Sequence, residues 1–167
     1  MTRNSFELQA ICIRTTACGD WNFLCGCEYS DNETGYIKLR LFGGPNTEVW
    51  EHNTGSSDNS PCPIDEIQNV HIKNRNVTIN SYSWTLNSST TVNSHYFCIG
   101  GAEIIKPNGY NTRTWPGYIG RVKVLQSDAL KGDFVPVKRK SDSICGFYDL
   151  VSGNFYSSVT PIPFKEV

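Results

Sequence analysis

NVHIKNRNVTIN, residues 69–80, decides the fold class. Val70 and Ile72 fall on one side of an extended chain, with His71 and Lys73 on the other. After a turn-forming Lys-Asn-Arg-Asn, Val77 and Ile79 again oppose Thr78 and Asn80. A hydrophobic period of two marks a strand with one buried face, and asparagines between two such runs mark a reversal. The same alternation recurs on both sides. In YIKLRLF, residues 36–42, Ile37, Leu39 and Leu41 oppose Lys38 and Arg40. In RVKVLQ, residues 121–126, Val122 and Val124 oppose Arg121 and Lys123. Further strands are expected at 6–14, 21–28, 82–86, 96–99, 134–138, 144–150 and 154–157. No window of eleven residues carries a 3.6-residue period, so helix is confined to one expected turn near 127–130. Ten to twelve short antiparallel strands, each with one polar face, predict an all-β, two-sheet antiparallel β-sandwich.

Composition agrees with this pattern. The 167 residues hold four Ala and one Met against 13 Ile, 11 Val and 13 Thr, a balance that favours strands over helices. The length suits a single domain over 1–167. The 51–63 stretch, EHNTGSSDNSPCP, reads as a surface loop because strands continue on both sides. Fifteen Lys and Arg balance sixteen Asp and Glu, which excludes binding of nucleic acid through bulk phosphate neutralisation and a polybasic membrane patch. No apolar run is long enough to insert into a membrane.

Seven cysteines, at 12, 18, 25, 27, 62, 98 and 145, form an odd set, most of them inside apolar runs. Buried thiols made in a reducing cytoplasm are expected. The start, MTRNSFELQAICIRTT, has no apolar core behind a basic segment and so predicts no secretory signal. A zinc site at Cys25 and Cys27 has no matching second pair. Asp31, Glu33 and Asp58 are oxygen donors without clustering. Neither a metal nor a cofactor is predicted.

The residues best suited to a ligand are aromatic. PNGYNTRTWPGY, residues 107–118, is a loop by its turn signals, yet it carries Tyr110, Trp115 and Tyr118 beside Asn111 and Arg113. An aromatic face packs on the C–H groups of a sugar, while Asn and Arg address hydroxyls or a carboxylate. Tyr110, Asn111, Arg113 and Trp115 are therefore candidate glycan contacts, with Trp50 as a second site beside the 51–63 loop. For Trp115 the competing reading is a plug folded over the end of the sandwich. Trp21 and Trp84 lie in strand runs and are assigned to the core. Asp149, ahead of a Val-Ser-Gly turn, can cap that turn with its carboxylate. Lys138, Arg139 and Lys140 read as a solvated edge that discourages aggregation.

The closing segment, YIGRVKVLQSDALKGDFVPVKRKSDSICGFYDLVSGNFYSS, resembles that of a family of concanavalin A-like, laminin-G-like jelly-roll domains found in tail, fibre and surface proteins of gut bacteria and their phages. The strand at 120–126, Asp133-Phe-Val-Pro-Val, Arg139-Lys-Ser-Asp, Gly146-Phe-Tyr-Asp-Leu-Val and Asn154-Phe-Tyr carry the likeness. The run at 21–27 and the strand at 36–42 fit that family's early hairpin. The resemblance implies a jelly roll of the lectin and glucanase superfold, with a place in a virion or surface assembly. Family members open with a Tyr- and Ile-rich strand ahead of the region that starts here at Ser5. An unpaired strand edge near the termini, at 5–14 and 160–167, is therefore expected to meet a neighbouring domain or subunit.

Retaining glucanases of that superfold set two carboxylates on alternate residues of one strand. Here Asp65 and Glu66 are adjacent, Asp31 and Glu33 sit in a turn-like run, and Glu48 and Glu51 are three apart. The expected function is thus a non-catalytic binding or attachment module, not an enzyme, whose partner is a glycan or cell-surface polysaccharide. The alternative is a structural interaction module without free ligand, and a glycoside hydrolase comes third.

Overall fold

The computed structural model describes residues 6–15, 22–26, 38–42, 49–52, 57–74, 76–85, 98–106 and 109–158. Among them the chain is all-β, with no helix and fifteen strands. An eight-stranded antiparallel sheet dominates. It runs in the order β15 (Phe155–Ser157), β14 (Cys145–Asp149), β13 (Ala129–Lys138), β12 (Gly117–Gln126), β1 (Phe6–Arg14), β6 (Ile67–Lys73), β7 (Asn76–Ile79) and β8 (Tyr82–Thr85). A five-stranded sheet holds β5 (Ser57–Pro61), β4 (Val49–His52), β3 (Lys38–Phe42), β2 (Asn22–Gly26) and β9 (Cys98–Ile99). A hairpin joins β10 (Gly101–Lys106) to β11 (Gly109–Thr114).

Alternation places the core. Phe6, Leu8, Ala10 and Cys12 of β1 point inward with Val70 and Ile72 of β6, Val77 and Ile79 of β7, and Val122 and Val124 of β12. Leu24 and Cys25 of β2 and Leu39 of β3 join the same buried cluster, so one core draws on both sheets. Trp84 packs against it, as its strand position suggests.

Turns follow residue chemistry. Gln126 pairs with Ala129 across Ser127 and Asp128, both at positive φ. Two left-handed residues make the reversal whose twist suits a tight hairpin, so the helical turn expected at 127–130 is a β-turn instead. Asn74 and Asn80, at φ 56° and 52°, turn β6 into β7 and β7 into β8. The Asn80 carboxamide accepts from the Asn69 backbone N–H at 2.9 Å and donates to the Ile67 carbonyl at 3.2 Å, tying the β7–β8 turn to β6.

Three other expectations change. The stretch at 51–63 contains β5. Residues 109–114 of the expected loop form a strand, because Gly101 to Lys106 pairs with them rung by rung. The N-terminal strand offers no edge, since β1 is paired to β12 on one side and β6 on the other. The tail at 160–167 lies outside the described residues.

Cys12, Cys25, Cys62, Cys98 and Cys145 are thiols, the first three buried. Burial, reinforced by the neighbouring Cys62 and Cys25, pushes the Cys12 thiol far above the ordinary range. Cys18 and Cys27 lie outside the described residues.

Candidate functional site

The inward face of the eight-stranded sheet is used up by the core. The outward face of its central strands carries exposed side chains, Tyr118, Ile11 and Ile67 among them, and the register lays them out as a grid. Tyr118, Ile13 and Ile67 form one row across β12, β1 and β6. Lys123, Gln9 and His71 form another, and Leu125, Glu7 and Lys73 the last. Between the first two rows, Ile11 stands opposite Asn69 on one side. On its other side β12 is bulged: Ala10 pairs with Val122 but Cys12 with Ile119, so β12 carries one extra residue there. Ile11 therefore faces both Gly120 and Arg121. Rows of this kind repeat roughly every 6.5–7 Å along a strand and neighbouring columns stand about 4.8 Å apart.

The bulge sets the chemistry of the face. Because of the extra residue, Tyr118 and Arg121, three apart in sequence, share the outward side. Ile67 is 58% exposed, and Tyr118 and Ile11 are each 45% exposed. Arg121 is gripped by the buried Asp133 of β13: Nε donates to Oδ1 at 2.6 Å and Nη2 to Oδ2 at 2.5 Å. The guanidinium holds the Asp133 carboxyl below its ordinary range against the opposing pull of burial, and Lys123 adds to the effect.

A second polar cluster closes the far end of the grid. The buried carboxylate of Glu7 accepts from Gln9 Nε2 at 2.8 Å, His71 Nε2 at 3.0 Å and Lys73 Nζ at 2.9 Å, and Lys73 also reaches Asp128 at 3.1 Å. Lys73 above all, then Gln9 and His71, hold the Glu7 carboxyl down to about 2 against desolvation. Folding thus keeps Glu7 ionised where the unfolded chain, titrating near 4.5, takes up a proton. Its contribution to stability is complete above that value and is lost as pH falls through 4.5 towards 2. Denaturation midpoints measured from pH 6 down to 2.5 should fall, and Glu7→Gln should flatten that fall. An unchanged slope in Glu7→Gln would reject the assignment.

Asp149 closes a third cluster at β14. Its Oδ1 accepts the Asp133 backbone N–H at 2.9 Å and that of Val151 at 3.0 Å, and Oδ2 accepts the Ser152 hydroxyl at 2.6 Å. The capping role read from the sequence is what this carboxylate performs. Burial pushes its pKa up, yet these donors hold it below the ordinary value. Arg139 pairs with Asp142 and lies 4.4 Å over the Phe155 ring, so part of the basic triplet fastens a hairpin.

The residues singled out for glycan contact do not assemble as a loop rim. Tyr110, Asn111 and Arg113 lie on β11 and Trp50 on β4; their side chains fall outside the described residues. Trp115 is 7% exposed within the core, and its indole N–H donates to the Ile13 carbonyl at 3.2 Å. It takes the plug role, and a ligand cannot stack on a ring that the core already covers. Asp31 and Glu33 are outside the described residues, as is the Asp58 side chain. Among the described residues no three His, Cys, Asp or Glu side chains are grouped to hold a metal ion. Ile11, Gly120 and Arg121 escaped the sequence reading; the glycine inside a strand was the available signal of a bulge. No protein-family model, no curated protein and no solved structure matches the chain.

Proposed function

We propose that this chain is a non-catalytic recognition module of concanavalin A-like jelly-roll build that binds a glycan, as part of a virion or cell-surface assembly. The observation that carries the reading is the grid on β12, β1 and β6. There exposed Tyr118, Ile11 and Ile67 alternate with hydrogen-bonding Asn69, Gln9, Lys123 and Arg121. A pyranose is amphiphilic in the same way, with C–H faces for the ring and aliphatic groups and hydroxyls for the polar ones. Two sheets sharing one core support the sandwich.

Among the described residues, the buried carboxylates suit binding rather than hydrolysis. Glu7, Asp133 and Asp149 are each fastened by several donors and shifted downward, whereas a glycosidase's general acid needs a raised value. The test is a glycan array probed with the purified chain, followed by chromatography of whichever oligosaccharide it retains. Retention with the oligosaccharide intact supports the reading. An array without a single binder, or shortened products that depend on one carboxylate, overturns it.

One observation favours the rival role as a structural interaction module. Ile144, Tyr148, Leu150, Val151 and Tyr156 are all exposed around β14 and the edge strand β15. Apolar groups beside an edge strand suit a neighbouring subunit. Sedimentation of a Tyr148→Ser, Tyr156→Ser double variant separates the two: loss of an oligomer with glycan binding intact assigns this rim to assembly.

A further inference from the structure

We propose that the β12 bulge is a subsite for the carboxylate of an acidic glycan, with Arg121 as the anion-binding residue and Tyr118 as the platform for the sugar ring. The inference rests on the glycan reading above and specifies the class of sugar.

Arg121 is the centre of the argument. Only Nε and Nη2 are engaged by Asp133; Nη1 has no partner among the described residues, and the side chain is 48% exposed. A guanidinium presents its donors as a planar fork, and a carboxylate accepts two of them side by side. Asp133 takes one edge of that fork and leaves the other edge facing out. Because the buried acid fixes the plane, little side-chain freedom remains to be lost when an anion binds. A second cation stands nearby. Lys123 lies on the same face, in the row of Gln9, and pairs across the sheet with Asp133. Both cations act on the Asp133 carboxylate, and only Arg121 is hydrogen-bonded to it.

The shape of the bulge completes the subsite. Gly120 puts no side chain between Tyr118 and Arg121. A Cβ built there would stand 3.4 Å from the Ile11 Cβ, so Ile11 forms the floor of a notch one side chain wide. Tyr118, Ile13 and Ile67 continue from it as an apolar row. A sugar laid over Tyr118 and Ile13 would bring a ring carboxylate towards the free edge of Arg121. A neutral sugar would stack equally well but leave the second edge of the Arg121 fork without an acceptor, so that edge provides the discrimination.

The experiment uses oligosaccharides bearing uronate or sialate, each paired with its carboxyl-reduced counterpart, titrated calorimetrically against the whole chain. At least one acidic member should bind, and its reduced partner should bind about tenfold or more weakly, as loss of a charge-assisted contact implies. Gly120→Val fills the notch while keeping the Arg121–Asp133 pair, and should weaken the acidic ligand by about tenfold or more. Its backbone fits a valine, since Gly120 is not among the residues at positive φ. Arg121→Gln should remove the preference for acidic over reduced members, read in protein whose melting temperature is measured alongside. Equal binding of acidic and reduced partners, or unchanged binding by Gly120→Val, overturns the inference while leaving glycan recognition standing. A panel without any binder, acidic or neutral, overturns both.

Discussion

Trp115→Ala should lower the stability of the fold by about 3–5 kcal/mol, the cost of truncating a large aromatic in a core. The ring lies in the cluster built by both sheets, at the point where the chain passes from β11 to β12. Three contacts fix that crossing. The Trp115 backbone N–H donates to the Gly100 carbonyl at 3.0 Å, its indole N–H donates to the Ile13 carbonyl at 3.2 Å, and the Thr15 N–H donates to the Pro116 carbonyl at 3.1 Å. Gly117 follows because nothing larger fits: a Cβ there would sit 2.0 Å from the Ile13 carbonyl oxygen. Truncation would leave a cavity and strip a partner from a part-buried carbonyl, so the two costs add. Trp115→Phe, which keeps most of the volume, should cost only about 1–3 kcal/mol. Urea denaturation measures both. A loss below about 1 kcal/mol in Trp115→Ala, accompanied by lost glycan binding, would return this residue to the ligand surface.

Trp115 and its neighbours mark how far the fold is legible in the sequence. Strands with a strict alternation, such as β6 and β7, were legible because one face must be buried and the other solvated. β5, SDNSP, carries no such signal; its strand state comes from pairing with β4, a tertiary effect. β10 and β11 were hidden by the turn-forming residues between and after them. The candidate site was less legible than the fold. Extrapolating from Val122 and Val124, a period of two puts Tyr118 on the buried face. The extra residue in β12 reverses that, turning Tyr118 outward and Ile119 inward against the core. One bulge thus brings the exposed aromatic round to the side of the arginine and the glycine notch, a displacement that composition does not encode. Asp149 was legible because a cap acts over two or three residues, whereas the Arg121–Asp133 pair depends on two strands meeting in register.

Asp149→Ala should cost about 2–4 kcal/mol, the second largest effect expected, since a buried backbone donor left without an acceptor costs about 1–3 kcal/mol and several donors are released here. The carboxylate accepts from the N–H groups of Asp133, Val151 and Ser152 and from the Ser152 hydroxyl. The turn donors can find water once the carboxylate is gone; the Asp133 N–H, within the sheet, cannot. Asp149→Asn is the sharper probe. Its remaining oxygen can still accept from Asp133 and Val151, but its amide nitrogen cannot accept from Ser152, so its loss should fall between that of alanine and wild type. The effect reaches the candidate site. Asp149 holds the backbone of Asp133, and the Asp133 side chain holds Arg121, so strands β14, β13 and β12 form one chain of donors and acceptors ending at the bulge. Residues in one hydrogen-bond network do not contribute additively. The Asp149→Ala, Arg121→Gln double variant should therefore lose less stability than the sum of the two single losses. Denaturation of all four proteins at pH 7 measures the coupling. Strict additivity would mean that the cap and the arginine are independent, and that Asp133 needs no help from β14 to orient the guanidinium.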